Sequence, residues 1–144
     1  MNIKRILATK GVNVVTIRPD QSIREAIALL AQYNIGALVV VDEANRPVGI
    51  LSERDITRAL ARDENILSKS VSELMTKNVI TGLPQDDIIS VANTMTEKRI
   101  RHIPIVEQGK LVGIISIGDV VKAQRDQYKG EIDTLQTQIL GEQA

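Results

Sequence analysis

A chain of 144 residues with 43% hydrophobic and 25% charged side chains suits one compact domain with a real core. Its 18 basic side chains balance 18 acidic ones, with no Phe or Trp and only two Tyr. This argues against a nucleic-acid binder, which needs a basic excess and stacking rings. No apolar run of about 18 residues is present, Met1 to Ile6 lacks a secretory signal pattern, and the lack of cysteine excludes disulfide and thiolate chemistry, so a cytoplasmic protein without a membrane segment is expected.

An N-terminal segment, 1–13, precedes Val14 to Ile17, a short β-branched strand closed by Pro19. Ser22-Ile23-Arg24-Glu25 has the form of a capping box and opens a helix. Its apolar stripe is Ile23, Ala26, Ile27 and Leu30, and Asn34 tolerates the left-handed conformation that ends it. Ala37 to Val41 is a continuous apolar run, as in a buried strand. Asp42 to Pro47 turns the chain into a second strand, Val48 to Leu51, and a helix follows from Ser52 to about Arg62.

The pattern then repeats. Val14-Val15-Thr16-Ile17 aligns with Val79-Ile80-Thr81-Gly82, and the same offset holds through Ile23/Ile88, Ile35/Ile100 and Val41/Val106. One residue is lost in the following turn, where length change is tolerated. Val48-Gly49-Ile50-Leu51-Ser52-Glu53-Arg54-Asp55 then matches Val112-Gly113-Ile114-Ile115-Ser116-Ile117-Gly118-Asp119. A duplicated β-α-β-β-α unit results, spanning 14–66 and 67–123. In the second copy Asp87 caps the helix, Ile88, Val91 and Met95 form its stripe, and Gln108-Gly109 makes the turn. Pro104 interrupts the central strand, Ile103 to Val106. Because proline donates no ladder hydrogen bond, its nitrogen is expected to face an edge or cleft. The fold class is therefore α/β (α+β), with the copies packed face to face about an approximate two-fold axis and two related clefts between them.

The extension 124–144 carries Tyr128, Ile132, Leu135 and Ile139 at helical spacing. Barely two heptads do not form a stable isolated helix, so it either docks on its own domain or joins a dimer.

Ser52-x-x-Asp55 and Ser116-x-x-Asp119 each stand where a strand enters a helix. Such a motif caps the helix N-terminus, and its carboxylate can also accept hydrogen bonds from a vicinal diol, since it has acceptors and no donor. The two roles are compatible. His102 is the one histidine, with no Ser-His-Asp order or metal-ligand spacing around it. Glu53, Asp55 and Glu107 are not spaced as a ligand set. Neither a catalytic residue nor a metal site is expected, and the chain reads as a non-enzyme.

Asn34 to Asp42, Arg99 to Val106, the paired Val-Gly-Ile-(Leu/Ile)-Ser-x-x-Asp segments and Val71 to Thr76 resemble the cystathionine-β-synthase (CBS) domain pair, or Bateman module. The resemblance runs from Lys10 to Ala123 and is similar in kind to small stand-alone bacterial CBS proteins. It implies a regulatory module that binds an adenosine-containing ligand (AMP, ADP, ATP, NAD(H) or S-adenosylmethionine), forms a homodimer and signals to a regulated protein. The alternative is a structural dimerisation module with degenerate clefts. The resemblance further implies ribose contacts from Ser52, Asp55, Ser116 and Asp119. One cleft would join Ser116 and Asp119 to the adenine-binding Thr16, Ile17, Ile35, Gly36 and Ala37. The other would join Ser52 and Asp55 to Ile80, Thr81, Ile100, Ile103 and Pro104. Arg101 and His102, with Arg54, make the second cleft the better phosphate site. Lys10 and Arg18 are the cations available to the first.

Overall fold

The structure, a computed structural model, describes residues 1–11 and 13–143, with side chains as far as Ile132. In chain order the elements are α1 (Ile3–Lys10), β1 (Thr16–Ile17), α2 (Ile23–Tyr33), β2 (Ala37–Val41), β3 (Pro47–Ser52), α3 (Glu53–Arg62), α4 (Val71–Leu74), α5 (Ile88–Lys98), β4 (His102–Glu107), β5 (Lys110–Ser116) and α6 (Ile117–Gln143). Both copies of the duplicated unit are present, and the C-terminal helix extends the second.

In the first copy β1 pairs parallel with β2 and β2 antiparallel with β3, with Ala37 opposite Ser52. In the second, β4 and β5 pair antiparallel with His102 opposite Ser116. The opening strands are shorter than their β-branched composition suggests. Val14 and Val15 stay outside β1, and of Val79 to Gly82 only Gly82 pairs, in a single parallel bridge to Ile105. The second contraction has a local cause. Gly82 N donates to Pro104 O at 2.9 Å, so the edge of Pro104 faces the incoming segment. A residue's N and C=O lie on the same side of a strand, so the next rung would need an N–H that proline lacks. Val39, which aligns with Pro104, has one, and β1 pairs through it. The edge expected beside Pro104 is there, and Val79 and Ile80 are left unpaired by strand at that edge.

Helix α2 starts and ends as its sequence indicates: Ser22 Oγ accepts from Glu25 N at 3.1 Å, and Asn34 is left-handed at φ 51°. The capping box does not close reciprocally, because the Glu25 carboxylate accepts from Gln21 Nε2 at 2.8 Å instead. Ile23, Ala26 and Leu30 are buried, while Ile27 is exposed and outside the core stripe. Asp87 caps α5 through Ile89 N, and Ile88, Val91 and Met95 are buried beneath it. Gln108 and Gly109 both have positive φ, which suits a tight hairpin turn.

The core shows how the copies interlock. Ile3, Ile6 and Leu7 of α1 are buried with Ile88, Met95, Ile105 and Ile115 of the second copy. Val71, with Leu74 and Met75 against it, belongs to the core of the first copy, among Ile17, Leu38 and Leu51. Each copy is thus completed by the segment that precedes the other. Glycines at matching positions allow the close approach. A Cβ on Gly49 would lie 2.4 Å from Met75 Sδ, and one on Gly113 2.5 Å from a Leu7 methyl. Val39, Val41 and Leu111 form a third cluster that joins the two sheets.

Val120 of α6 is buried, whereas Tyr128 and Ile132 are exposed. The extension therefore does not dock on its own domain through these two residues. Leu135 and Ile139 lie outside the residues whose side chains are described.

Candidate functional site

Strand β3 runs straight into α3 at Ser52. Ser52 is extended (φ −104°, ψ 160°), so its hydroxyl can turn back on the first helical turn. Asp55 N donates to Ser52 Oγ at 3.2 Å, and Ser52 N donates to Asp55 Oδ2 at 2.9 Å. Ser52 Oγ reaches the same carboxylate oxygen at 3.0 Å. The capping role is therefore real, and it uses one oxygen. Asp55 Oδ1 has no hydrogen bond, and the carboxylate no ion pair, among the described residues.

Asp55 stands on the wall of a cleft of about 340 Å³. Ile50, Val79, Ile80 and Ile100 supply its apolar surface, with Thr76 and Asn78 beside them. Arg54 and Arg58 line it from α3, and Arg99, Arg101 and His102 from the end of α5 and the start of β4. None of the four arginines makes an ion pair among the described residues. The chain folds to give this arrangement because each helix-to-strand corner is tied to the strand-to-helix junction of its own copy. Glu53 N donates to Gly36 O at 3.0 Å and Ile117 N to Arg101 O at 2.8 Å. Gly36 accordingly lines the Asp55 cleft rather than the Asp119 side, where the sequence reading put it.

His102 is partly buried, and a Cβ on Gly36 would lie 3.9 Å from its Cε1, so the corners of the two copies face each other. Burial pushes the imidazole below its usual range, and Lys10 and Arg101 push the same way; Asp119 and Glu53 oppose them. A histidine with a lowered value is neutral in the fold at pH 7. Stability is lost as pH falls through the ordinary histidine value, where the unfolded chain takes up the proton first.

The second Ser-x-x-Asp junction has the same frame. Ser116 N donates to Asp119 Oδ2 at 2.9 Å and Asp119 N to Ser116 Oγ at 3.1 Å. Here, though, the Lys10 ammonium lies 2.6 Å from Asp119 Oδ2 and 2.9 Å from Ile114 O. Burial alone would raise the Asp119 carboxyl, but hydrogen bonds from Lys10 and Ser116 hold it below the usual carboxylate range. The depression at Asp119, about 390 Å³, lies between α1 and α6 and is lined by Arg5, Ile6, Thr9 and Lys122. Thr16, Ile17, Ile35 and Ala37 are not on its walls, and Ile17 and Ala37 are buried in or beside the first sheet. Arg18 turns away to the Asp42 carbonyl (3.4 Å) and Glu43 (3.8 Å).

Around Asp55 the structure thus gathers Ser52, Arg54, Ile80, Ile100, Arg101 and His102. Thr81, Ile103 and Pro104 are not on the cleft wall; Ile103 and Pro104 are buried behind His102 in β4. Sequence reasoning missed Ile50, Glu53, Arg58, Thr76, Asn78, Val79 and Arg99. Arg58 was the most accessible of these, since it follows Arg54 by one helical turn and shares its face.

A family model described as the CBS domain matches the chain twice, over residues 3–62 and 71–126. The chain is 37% identical over 119 residues to CBS domain-containing protein YhcV of Bacillus subtilis, covering 81% of this chain and 82% of that protein. It is 35% identical over 127 residues to mitochondrial CBSX3 of Arabidopsis thaliana, covering 85% of this chain and spanning 62% of that protein's length. Among solved structures, ATU1752 of Agrobacterium tumefaciens superposes with a TM-score of 0.82 at 45% identity, over 86% of this chain and 99% of that one. The CBS domain pair of MJ0100, in complex with 5′-methylthioadenosine and S-adenosylmethionine, superposes with a TM-score of 0.79 at 32% identity, over 88% and 98%.

Proposed function

The chain belongs to the CBS-domain family, and on that premise we propose that it is an adenine-nucleotide sensor whose ligand (AMP, ADP, ATP or NAD(H)) binds in the Asp55 cleft. One observation carries this reading. A carboxylate with an uncommitted oxygen stands in a partly apolar cleft edged by four arginines that have no ion-pair partner among the described residues. A vicinal diol suits the free acceptor, a flat heterocycle suits the space between Ile80 and Ile100, and phosphate oxygens suit the guanidinium groups. MJ0100, with its adenosine-containing ligands, supports the same class.

Ser52 and Asp55 hold the ribose, and the backbone of Ile80, which pairs with no strand, reads the base. Arg54 and Arg58 from the first copy, with Arg99 and Arg101 from the second, hold the phosphates. His102 takes up a proton as a phosphate approaches, because an anion reverses the penalty that keeps it neutral. Cations from both copies on one phosphate chain draw the copies together. This shifts a conformational equilibrium only as far as the ligand prefers one arrangement. The state is read by a homodimer and passed to a regulated protein. Ile89 and Val121, exposed on α5 and α6, supply apolar surface for pairing. The role is binding, and no reaction is assigned to the cleft.

Calorimetry with adenosine, AMP, ATP, NADH, S-adenosylmethionine and GTP tests the reading. AMP or ATP should bind about tenfold or more tightly than adenosine, the equivalent of one charge-assisted contact, and ATP should outbind GTP. Absence of binding by every adenosine compound, or equal binding of ATP and GTP, overturns it.

A further inference from the structure

We propose that Lys10 is an intramolecular occupant of the Asp119 cleft, so that each chain takes one adenosine ligand, at Asp55, and gains a second site at Asp119 only when Lys10 withdraws. This rests on the nucleotide reading of the Asp55 cleft and adds to it the residue that sets stoichiometry.

The two junctions are otherwise alike. Serine N to carboxylate is 2.9 Å in both, and the returning helix N–H bonds are 3.2 and 3.1 Å. What separates them is the Lys10 ammonium, which shares Asp119 Oδ2 with Ser116 N and leaves Oδ1 without a hydrogen bond among the described residues, so that it competes with a ligand through its charge and the space it takes. A cation 2.6 Å from a carboxylate neutralises it and fills the space beside it, and a neutral diol is a weaker partner than an ammonium. Asp55 has no such cation among the described residues.

The difference traces to helix length. In the first copy α4 stops at Leu74, and Thr76 N donates to the Ile50 carbonyl at 2.9 Å. The position matching Thr76 is Gly11, whose N–H instead closes the end of α1 on Leu7 O at 2.8 Å. The carbonyl matching Ile50, that of Ile114, therefore has no backbone donor from this segment among the described residues. Lys10, in the last turn of α1, fills the gap and meets Asp119 in doing so. The side chains of Lys10 and Asp119 are 35% and 23% exposed, so the pair is strong enough to hold and open enough to exchange. Asp119 sits below the usual carboxylate range, as a persistent pair requires.

The site behind the lysine is equipped. Lys122 follows Asp119 by the spacing at which Arg58 follows Asp55, and Arg5 lines the same depression. With Lys10 withdrawn, both cations stand near an uncompensated carboxylate.

The test is ATP stoichiometry by calorimetry and native mass spectrometry on wild type, Lys10→Met and the double variant Lys10→Met/Asp119→Asn. Wild type should bind one ATP per chain, Lys10→Met two, and the double variant one. Lys10→Gln, which keeps a donor for Ile114 O, should also bind two and guards against a folding defect in the methionine variant. Two ATP per wild-type chain, or one per chain in both Lys10 variants, overturns the inference and leaves the Asp55 reading standing. No ATP bound by any of the proteins overturns both.

Discussion

Asp55→Asn should weaken binding of the adenosine ligand by about a hundredfold, roughly the loss of one to two charge-assisted hydrogen bonds, without a comparable loss of stability. The asymmetry follows from how the carboxylate is divided. Oδ2 alone accepts from Ser52 N and Ser52 Oγ. An amide oxygen can take over that duty, so the helix cap survives. The second oxygen becomes an NH₂ donor, which cannot accept from the ribose hydroxyls. Asp55→Ala removes both functions: the Ser52 hydroxyl still caps the Asp55 N–H, but the reciprocal bond from Ser52 N is lost, which should cost about 1 kcal/mol more in stability. Calorimetry paired with thermal melts separates the two. If Asp55→Asn binds like wild type, capping is the whole role of this residue.

Ile3→Ala should destabilise the fold by about 2–5 kcal/mol, the range for truncating a buried aliphatic core residue. A surface position near a chain end would change stability by less than about 0.5 kcal/mol. The larger value is expected because Ile3 is 0% exposed and sits among Ile88, Met95 and Ile115. Its segment is also fixed by backbone hydrogen bonds: Ile3 N to Asp86 O (3.0 Å), Lys4 N to Pro84 O (2.7 Å) and Ile88 N to Met1 O (3.1 Å). Hydrogen exchange should show lost protection in α5, β4 and β5, all distant in sequence, more than in β2. A small change confined to α1 would mean that this helix is not part of the second copy's core.

What was legible in the sequence is what local chemistry determines. The all-apolar run of β2, the Ser22 and Asp87 caps, the left-handed Asn34 and the paired Ser-x-x-Asp junctions depend on residues within one turn or strand of each other. The contraction at Gly82 was half legible. Pro104 announced an open edge, but which neighbour it would turn away depends on a pairing set by the fold. Ile27 was misread because a helical stripe shows only which residues share a face; the width actually covered depends on what packs there, and the cover ends at Ile23, Ala26 and Leu30. The exchange of leading segments was not legible at all. Nothing in Ile3, Ile6 and Leu7 distinguishes packing against their own copy from packing against the other. The placement of Lys10 on Asp119 follows from that exchange, which brings the end of α1 to the second Ser-x-x-Asp junction. Gly36 moved to the Asp55 cleft because its carbonyl is bound by Glu53 N, a tertiary contact with no sequence signature.

The most direct measurement is a titration of isoleucine-methyl-labelled protein with ATP, followed by nuclear magnetic resonance. An adenine ring in the Asp55 cleft lies against Ile80 and Ile100, whose methyl signals should move most through its ring current, while Ile17 and Ile35 stay nearly still. Shifts centred on Ile17 and Ile35, with Ile80 and Ile100 unmoved, would contradict the assignment of the site.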